Sequence, residues 1–313
     1  MLKEILSIVN HPLNRTWWVA IISAMLIAIL YKVFKEGKFS RQTIIAGLLF
    51  HPILHPSSKV DLQLIFVRCL MRIGAVIFFP LTANLVAVKT ILYAYKYVGD
   101  PPLLLEGKTL VITYSFALLI LSDLVKYLAH VCMHRIEILW RFHQVHHSAS
   151  VMTPFTLHRV HPVELILNTL RDSLVYGVTA GLFAWLSFGK ATVWMLYGVP
   201  GFIFIFVMLG ANLRHSHIKL SYPKWLERIL ISPAQHQIHH SISRDHQNSN
   251  YGSILALWDY LYGSLKYSKD TEQKPFGVEH KDLNHDPTQI RSVLLDPLKA
   301  KSPSKTLIRS QYE

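Results

Sequence analysis

The chain has 313 residues, 51% of them apolar and only 16% charged, with a formal net charge of +13 and a positive mean hydropathy. An average soluble domain carries about 25% charged residues, so this balance argues against an ordinary soluble domain and for a membrane protein with polar parts. The basic residues are scattered and many flank apolar runs, which suits charge at a membrane surface and speaks against a nucleic-acid partner.

Met1 to Arg15 is short and mixed, without the order of basic region, apolar core and small-residue cleavage site that marks a secretory signal. Thr16 to Phe34 is almost wholly apolar, with Trp17, Trp18 and Tyr31 near its ends, and is about long enough to span a bilayer. Lys32, Lys35, Lys38 and Arg41 follow, which places this end in the cytoplasm. Thr43 to Leu54 is too short to span and reads as an interfacial or re-entrant segment. Ile73 to Tyr93 is expected to form the next span, kinked at Pro80, with Arg68 and Arg72 at the cytoplasmic edge. Lys96 to Lys108 reads as a turn, and Leu110 to about Ala129 returns to the cytoplasm. Ser173 to Gly210, broken at Gly189-Lys190, is long enough for a hairpin of two short spans.

The expected fold is therefore all-α: a polytopic membrane helical bundle of about five spans with a cytosolic helical cap. Three divisions are expected, with membrane spans and their connections in 1–108, a histidine-box domain in 109–267, and a polar C-terminal tail in 268–313. From about Lys269 the chain reads as surface or partly mobile.

Cys69 and Cys132 are the only cysteines, too few for a disulfide scaffold or a Cys-based zinc site, whereas histidine is in excess at eighteen residues. His130 and His134 stand four apart, and His143, His146 and His147 stand three and four apart, so each set shares a helix face. His236, His239 and His240 repeat the second spacing. Asp123, Tyr127, His130 and His134 form one polar stripe on an oily helix, and ionisable groups there are expensive enough to suggest function. Asp123 and Tyr127 suit either hydrogen bonds that orient His130 and His134 or partners such as Lys126 and interfacial water.

Eight histidines lie in these boxes, with His158, His161, His215 and His217 as further candidates. A tetrahedral zinc takes four ligands, so this number implies two metals. Imidazole suits iron, zinc, copper and nickel alike. A membrane setting with no Cys ligand, no Glu beside the paired histidines and no His-Glu-x-x-His pattern favours iron and lipid C–H oxidation over hydrolysis. A membrane zinc hydrolase and a non-enzymatic metal-binding protein remain as alternatives.

The stretches His130-x-x-x-His134, Trp140-Arg-Phe-His143-Gln-Val-His146-His147-Ser, Arg159-Val-His161-Pro, His215-Ser and Pro233-Ala-Gln-His236-Gln-Ile-His239-His240-Ser, with Asn250-Tyr-Gly and Leu257-Trp-Asp, resemble the fatty acid hydroxylase and sterol desaturase superfamily of membrane di-iron oxygenases. The resemblance covers roughly Leu121 to Gly263. It implies two irons per chain, O2 as oxidant, electrons from an external donor and a lipid substrate entering from the bilayer, at a site on the cytoplasmic face of a multi-pass protein. It implies His130, His134, His143, His146, His147, His215, His236, His239 and His240 as ligands. Two departures are His217, where relatives often carry Asn, and the additional His158; these, with His161, are candidates for the metal or its surroundings.

Overall fold

A computed structural model describes residues 17–37, 40–41, 54–78, 83–102, 104–191 and 201–299. The apolar runs fold as the helices α1 (Trp18–Glu36), α2 (Pro56–Phe78), α3 (Ala83–Tyr97) and α4 (Gly107–Arg135). Next come α5 (Glu137–His147), α6 (Pro162–Leu186) and α7 (Gly201–Met208). Short helices follow: α8 (Lys224–Glu227), α9 (Pro233–His239), α10 (Arg244–Gln247), α11 (Leu257–Tyr262) and α12 (Ile290–Leu295). Among the described residues there is no strand, only the isolated bridges of Leu230 with Leu255 and Ser241 with Phe276.

Among the described residues, two helices, Trp18–Lys35 and Gly107–Arg135, are long and apolar enough to cross a membrane. The expected span Ile73 to Tyr93 falls across the end of α2 and the start of α3, and residues 79–82 around Pro80 lie outside the described residues. Most of the expected interfacial segment, Thr43 to Leu54, also lies outside them. The break expected at Gly189-Lys190 is a turn, in which Phe188 and Gly189 take φ of 53° and 72°.

One face of α4 (Leu110, Tyr114, Leu118) packs against Ala180 and Ala184 of α6. The neighbouring face of α6 carries Gly177 and Gly181, which let α3 come within backbone contact. A Cβ at Gly177 would stand 2.6 Å from the Ala83 carbonyl oxygen, and one at Gly181 would stand 2.6 Å from that of Ala87. Replacing both with Ala gains up to about 1 kcal/mol of helix propensity at each site. A backbone carbonyl cannot swing aside, however, and over-packing costs roughly 1–3 kcal/mol at each. The doubly substituted chain should therefore melt at a lower temperature than the parent in a detergent thermal scan.

Residues 269–299 do not hang free as a polar tail. Val293 of α12 is buried with Val60, Leu64 and Val145. The segment is hydrogen-bonded to α5: Asn284 Nδ2 donates to the Arg141 carbonyl at 3.0 Å, while Gln144 Nε2 donates to the Asp282 backbone carbonyl at 2.8 Å. Polar composition here serves internal hydrogen bonds, which is why it misleads when read as a sign of solvent exposure.

Candidate metal centre

The nine histidines come from four parts of the chain. The end of α4 supplies His130 and His134. It stops at Arg135 because Ile136 is extended, and α5 restarts at once with His143, His146 and His147. His215 closes the 3-10 turn Ala211–His215. His236, His239 and His240 lie on and just after α9, whose start is fixed by the Ser232 side chain accepting from Gln235 N, the Gln235 side chain accepting from Ser232 N, and Pro233 in the first turn.

These side chains form two groups. His130, His134, His143, His147 and His239 converge, as do His146, His215, His236 and His240, with one ring nitrogen from each histidine of a group within 4.8 Å of the others. At about 100° per residue, His143 and His147 project from α5 only about 40° apart, whereas the adjacent His146 and His147 diverge by about 100°. The i, i+4 pair of α5 thus enters the first group, and the middle histidine crosses to the second. Box His236–His240 does the reverse: His236 and His240 stay in the second group, and His239 crosses to the first. At the boundary His147 and His240 stack, with centroids 4.5 Å apart and planes at 19°.

Convergence is close enough to need a partner. His130 Nε2 lies 3.1 Å from His143 Nε2 and 3.0 Å from His239 Nε2, and His236 Nε2 lies 3.2 Å from both His215 Nε2 and His240 Nε2. His134 Nε2 and both ring nitrogens of His147 are buried with no hydrogen-bond partner, at a cost of about 1–3 kcal/mol for each stranded group. Burial also pushes His147, His236, His239 and His240 well below the ordinary histidine range, and His146 down to about 4. These rings are therefore neutral at pH 7, the form that ligates metal. The donor set fits two metal ions.

Four of the opposite ring nitrogens are held from outside. His130 Nδ1 donates to the Tyr251 carbonyl at 2.7 Å, His239 Nδ1 to the Ser249 carbonyl at 2.7 Å, and His146 Nδ1 to the Arg159 carbonyl at 3.2 Å. His143 Nδ1 has a carboxylate instead, Glu164 Oε1 at 3.0 Å. Each contact fixes the tautomer and aims Nε2 inward.

Glu164 is not among the residues that the sequence singles out. It lies in the first turn of α6, and the only signal for it in the sequence is an acidic residue two positions after Pro162 at the start of an apolar helix. Burial alone would raise its carboxyl, but the facing His143, which also hydrogen-bonds it, outweighs this and holds it down to about 2. Since it meets Nδ1, on the side away from the group's centre, its position suits orientation of His143. Glu164→Gln should keep the fold and weaken metal binding about 10- to 100-fold, read by chelator competition.

Asp123 does not touch His130 or His134. Its carboxylate accepts from Ile254 N (2.8 Å), Leu255 N (3.0 Å) and Trp258 Nε1 (3.0 Å). Tyr127 lies with its hydroxyl 3.5 Å from Ser264 Oγ and its ring edge-on to Tyr251. Both act one step removed, through the segment that presents the Ser249 and Tyr251 carbonyls. Asp259 completes that frame by accepting from Tyr251 N and Gly252 N at 2.9 and 2.7 Å.

His158, His161 and His217 lie outside both groups. His161 caps α6: its Nδ1 accepts from Val163 N and its Nε2 donates to the Leu294 carbonyl, which commits both ring nitrogens. His158 Nδ1 is 3.3 Å from Arg68 Nη1, and His217 is exposed. Arg159 is wholly buried, paired with Asp61 at 3.0 Å, and it too holds the site. It donates to the Val145, Ser57 and Pro287 carbonyls and to Ser148 Oγ.

Residues 115–264 match the fatty acid hydroxylase family, so this domain is similar to that family. It is 24% identical over 166 residues to an ornithine lipid hydroxylase of Rhizobium tropici, 52% of this chain and 45% of that protein. It is 23% identical over 176 residues to the alkylglycerol monooxygenase of Homo sapiens, 53% of this chain and 33% of that one. With the lathosterol oxidase of Mus musculus it shares 27% over 180 residues, 58% and 53% of the two chains. The match thus spans about a third to a half of these relatives' own length. No solved structure matches the chain.

Proposed function

We propose that the protein is a multi-pass membrane di-iron oxygenase that hydroxylates a C–H bond of a lipid. The observation that carries this reading is the pair of adjoining, buried, all-imidazole groups built by reciprocal exchange between two His-x-x-His-His boxes. His130, His134, His143, His147 and His239 would hold one iron, and His146, His215, His236 and His240 the other. Two irons, when bound, would supply reductive activation of O2 and oxidation of an unactivated C–H bond.

The protein's own contribution is to fix His130, His143, His146 and His239 through Nδ1, to keep bulk water from the buried rings, and to present the site at the cytoplasmic end of α4. Hydroxylation is favoured over desaturation, with an acyl, ether-lipid or sterol-like substrate reached from the bilayer and electrons supplied by a separate carrier or reductase. The five-span topology and the cytoplasmic placement belong to the same proposal. Metal analysis of purified protein together with lipid mass spectrometry tests it. Two irons per chain and a product that requires both O2 and reductant support the reading. A single zinc with anaerobic turnover, or reversible metal binding without product, overturns it.

A further inference from the structure

The α8 turn and α11 form an exposed aromatic and apolar platform that the metal chemistry does not use. Trp225 is 66% exposed, Leu261 69%, Tyr262 54%, Tyr260 52% and Ile229 49%, a density of large apolar side chains that calls for a covering partner. These residues are one surface. Ala256 N donates to the Ile229 carbonyl at 2.9 Å and Ile231 N to that of Ile254 at 3.0 Å, tying the end of the α8 segment to the start of α11. Arg228 lies over the Tyr260 ring at 5.7 Å and its Nε donates to the Tyr267 hydroxyl at 2.7 Å. Aromatic rings with polar tips beside a guanidinium are the composition of a membrane interface.

The platform's level on α4 points to the same partner. Asp123 holds Trp258, and Tyr127 packs against Tyr262 at 6.2 Å, so α11 lies on the stretch Asp123–Tyr127. Helix α4 has 29 residues, about 43 Å at 1.5 Å per residue, against a hydrocarbon core of about 30 Å. Roughly nine residues must therefore lie outside the core. With the core entered near Leu110, just beyond Lys108, it is left near Ala129. Asp123–Tyr127 then occupies the last turns inside the boundary. Leu121 and Leu128 are exposed on another face of α4 at the same level, as suits a stretch surrounded by lipid.

We propose that the platform formed by Trp225, Ile229, Tyr260, Leu261 and Tyr262 is seated in the headgroup–acyl boundary of a phospholipid bilayer, with Arg228 among the phosphates. One edge of the histidine domain is thereby anchored in lipid independently of α4, and the tilt of the domain against the membrane is set at two points. This holds whatever metal the histidines bind.

The test uses the full chain in nanodiscs of phosphatidylcholine and phosphatidylglycerol. An environment-sensitive fluorophore is placed by Trp225→Cys or Leu261→Cys in a Cys132→Ser background, since Cys132 is exposed and Cys69 is buried. Lys281→Cys serves as the aqueous reference. At positions 225 and 261 most of the emission should be lost to lipid carrying a nitroxide near the headgroup and little to iodide, with the reverse at 281. Either position alone suffices if the other variant fails to fold. Iodide quenching at 225 and 261 as strong as at 281 overturns the proposal. So does protection from both quenchers, which would mean that protein, such as a second copy of the chain, covers the platform.

Discussion

A chain carrying His239→Ala is expected to form no oxidised lipid and to lose iron, while His217→Ala leaves both product and metal content as in the parent. His239 is the member of its box that crosses to the other group, with Nε2 3.0 Å from His130 Nε2 and Nδ1 held by the Ser249 carbonyl. Removing a partner one layer outside a metal already costs about 10- to 100-fold, so removing a donor itself should cost more than about 100-fold in product formation. Iron content and lipid mass spectrometry on the same preparation check this. An active, iron-replete His239→Ala chain would refute the ligand assignment.

The second large effect is one of stability. Arg159→Ala should yield little folded protein, and Asp61→Asn should be visibly less stable than the parent. Both side chains of this pair are 0% exposed, and breaking a buried ion pair by removing one partner costs about 3–5 kcal/mol, because the other charge is left unpaired. That is comparable with the whole stability of many domains. The pair also joins distant elements: Asp61 belongs to α2, Arg159 to the turn before α6, and Pro287 to the C-terminal segment. A double replacement, Arg159→Met with Asp61→Leu, removes both charges and should recover part of the loss. Recovery stays partial because the Val145, Ser57 and Pro287 carbonyls lose their donor. Yield and thermal unfolding in detergent distinguish these outcomes; equal recovery of Arg159→Ala and parent protein would exclude the structural role.

The histidine boxes were legible because helical spacing is a local property: residues three and four apart share a face wherever the helix lies. Which histidine joins which group was not, because the division depends on how α5 and α9 approach each other, and box spacing is identical in both. His143 and Glu164, or Asp61 and Arg159, meet only through the fold, and no local pattern pairs them. Asp123 shows the same limit. Its position on the stripe suggested His130 and His134, but a side chain about 100° per residue round the helix from its neighbours is free to face a different element, and it faces α11. The helical class was readable from apolar run lengths, whereas the close approach of α3 to α6 at Gly177 and Gly181 required knowing that the two helices are neighbours.

The crossing of His146 and His239 between the groups has a consequence for assembly. An ion captured by either group draws donors from both boxes and so fixes the spacing of α5 and α9 that the other group needs. The second ion then binds to a site already ordered, without the entropy loss that the first one bore. Loading should therefore be cooperative, so that a metal-starved population consists mainly of empty and doubly filled molecules, with few holding a single ion.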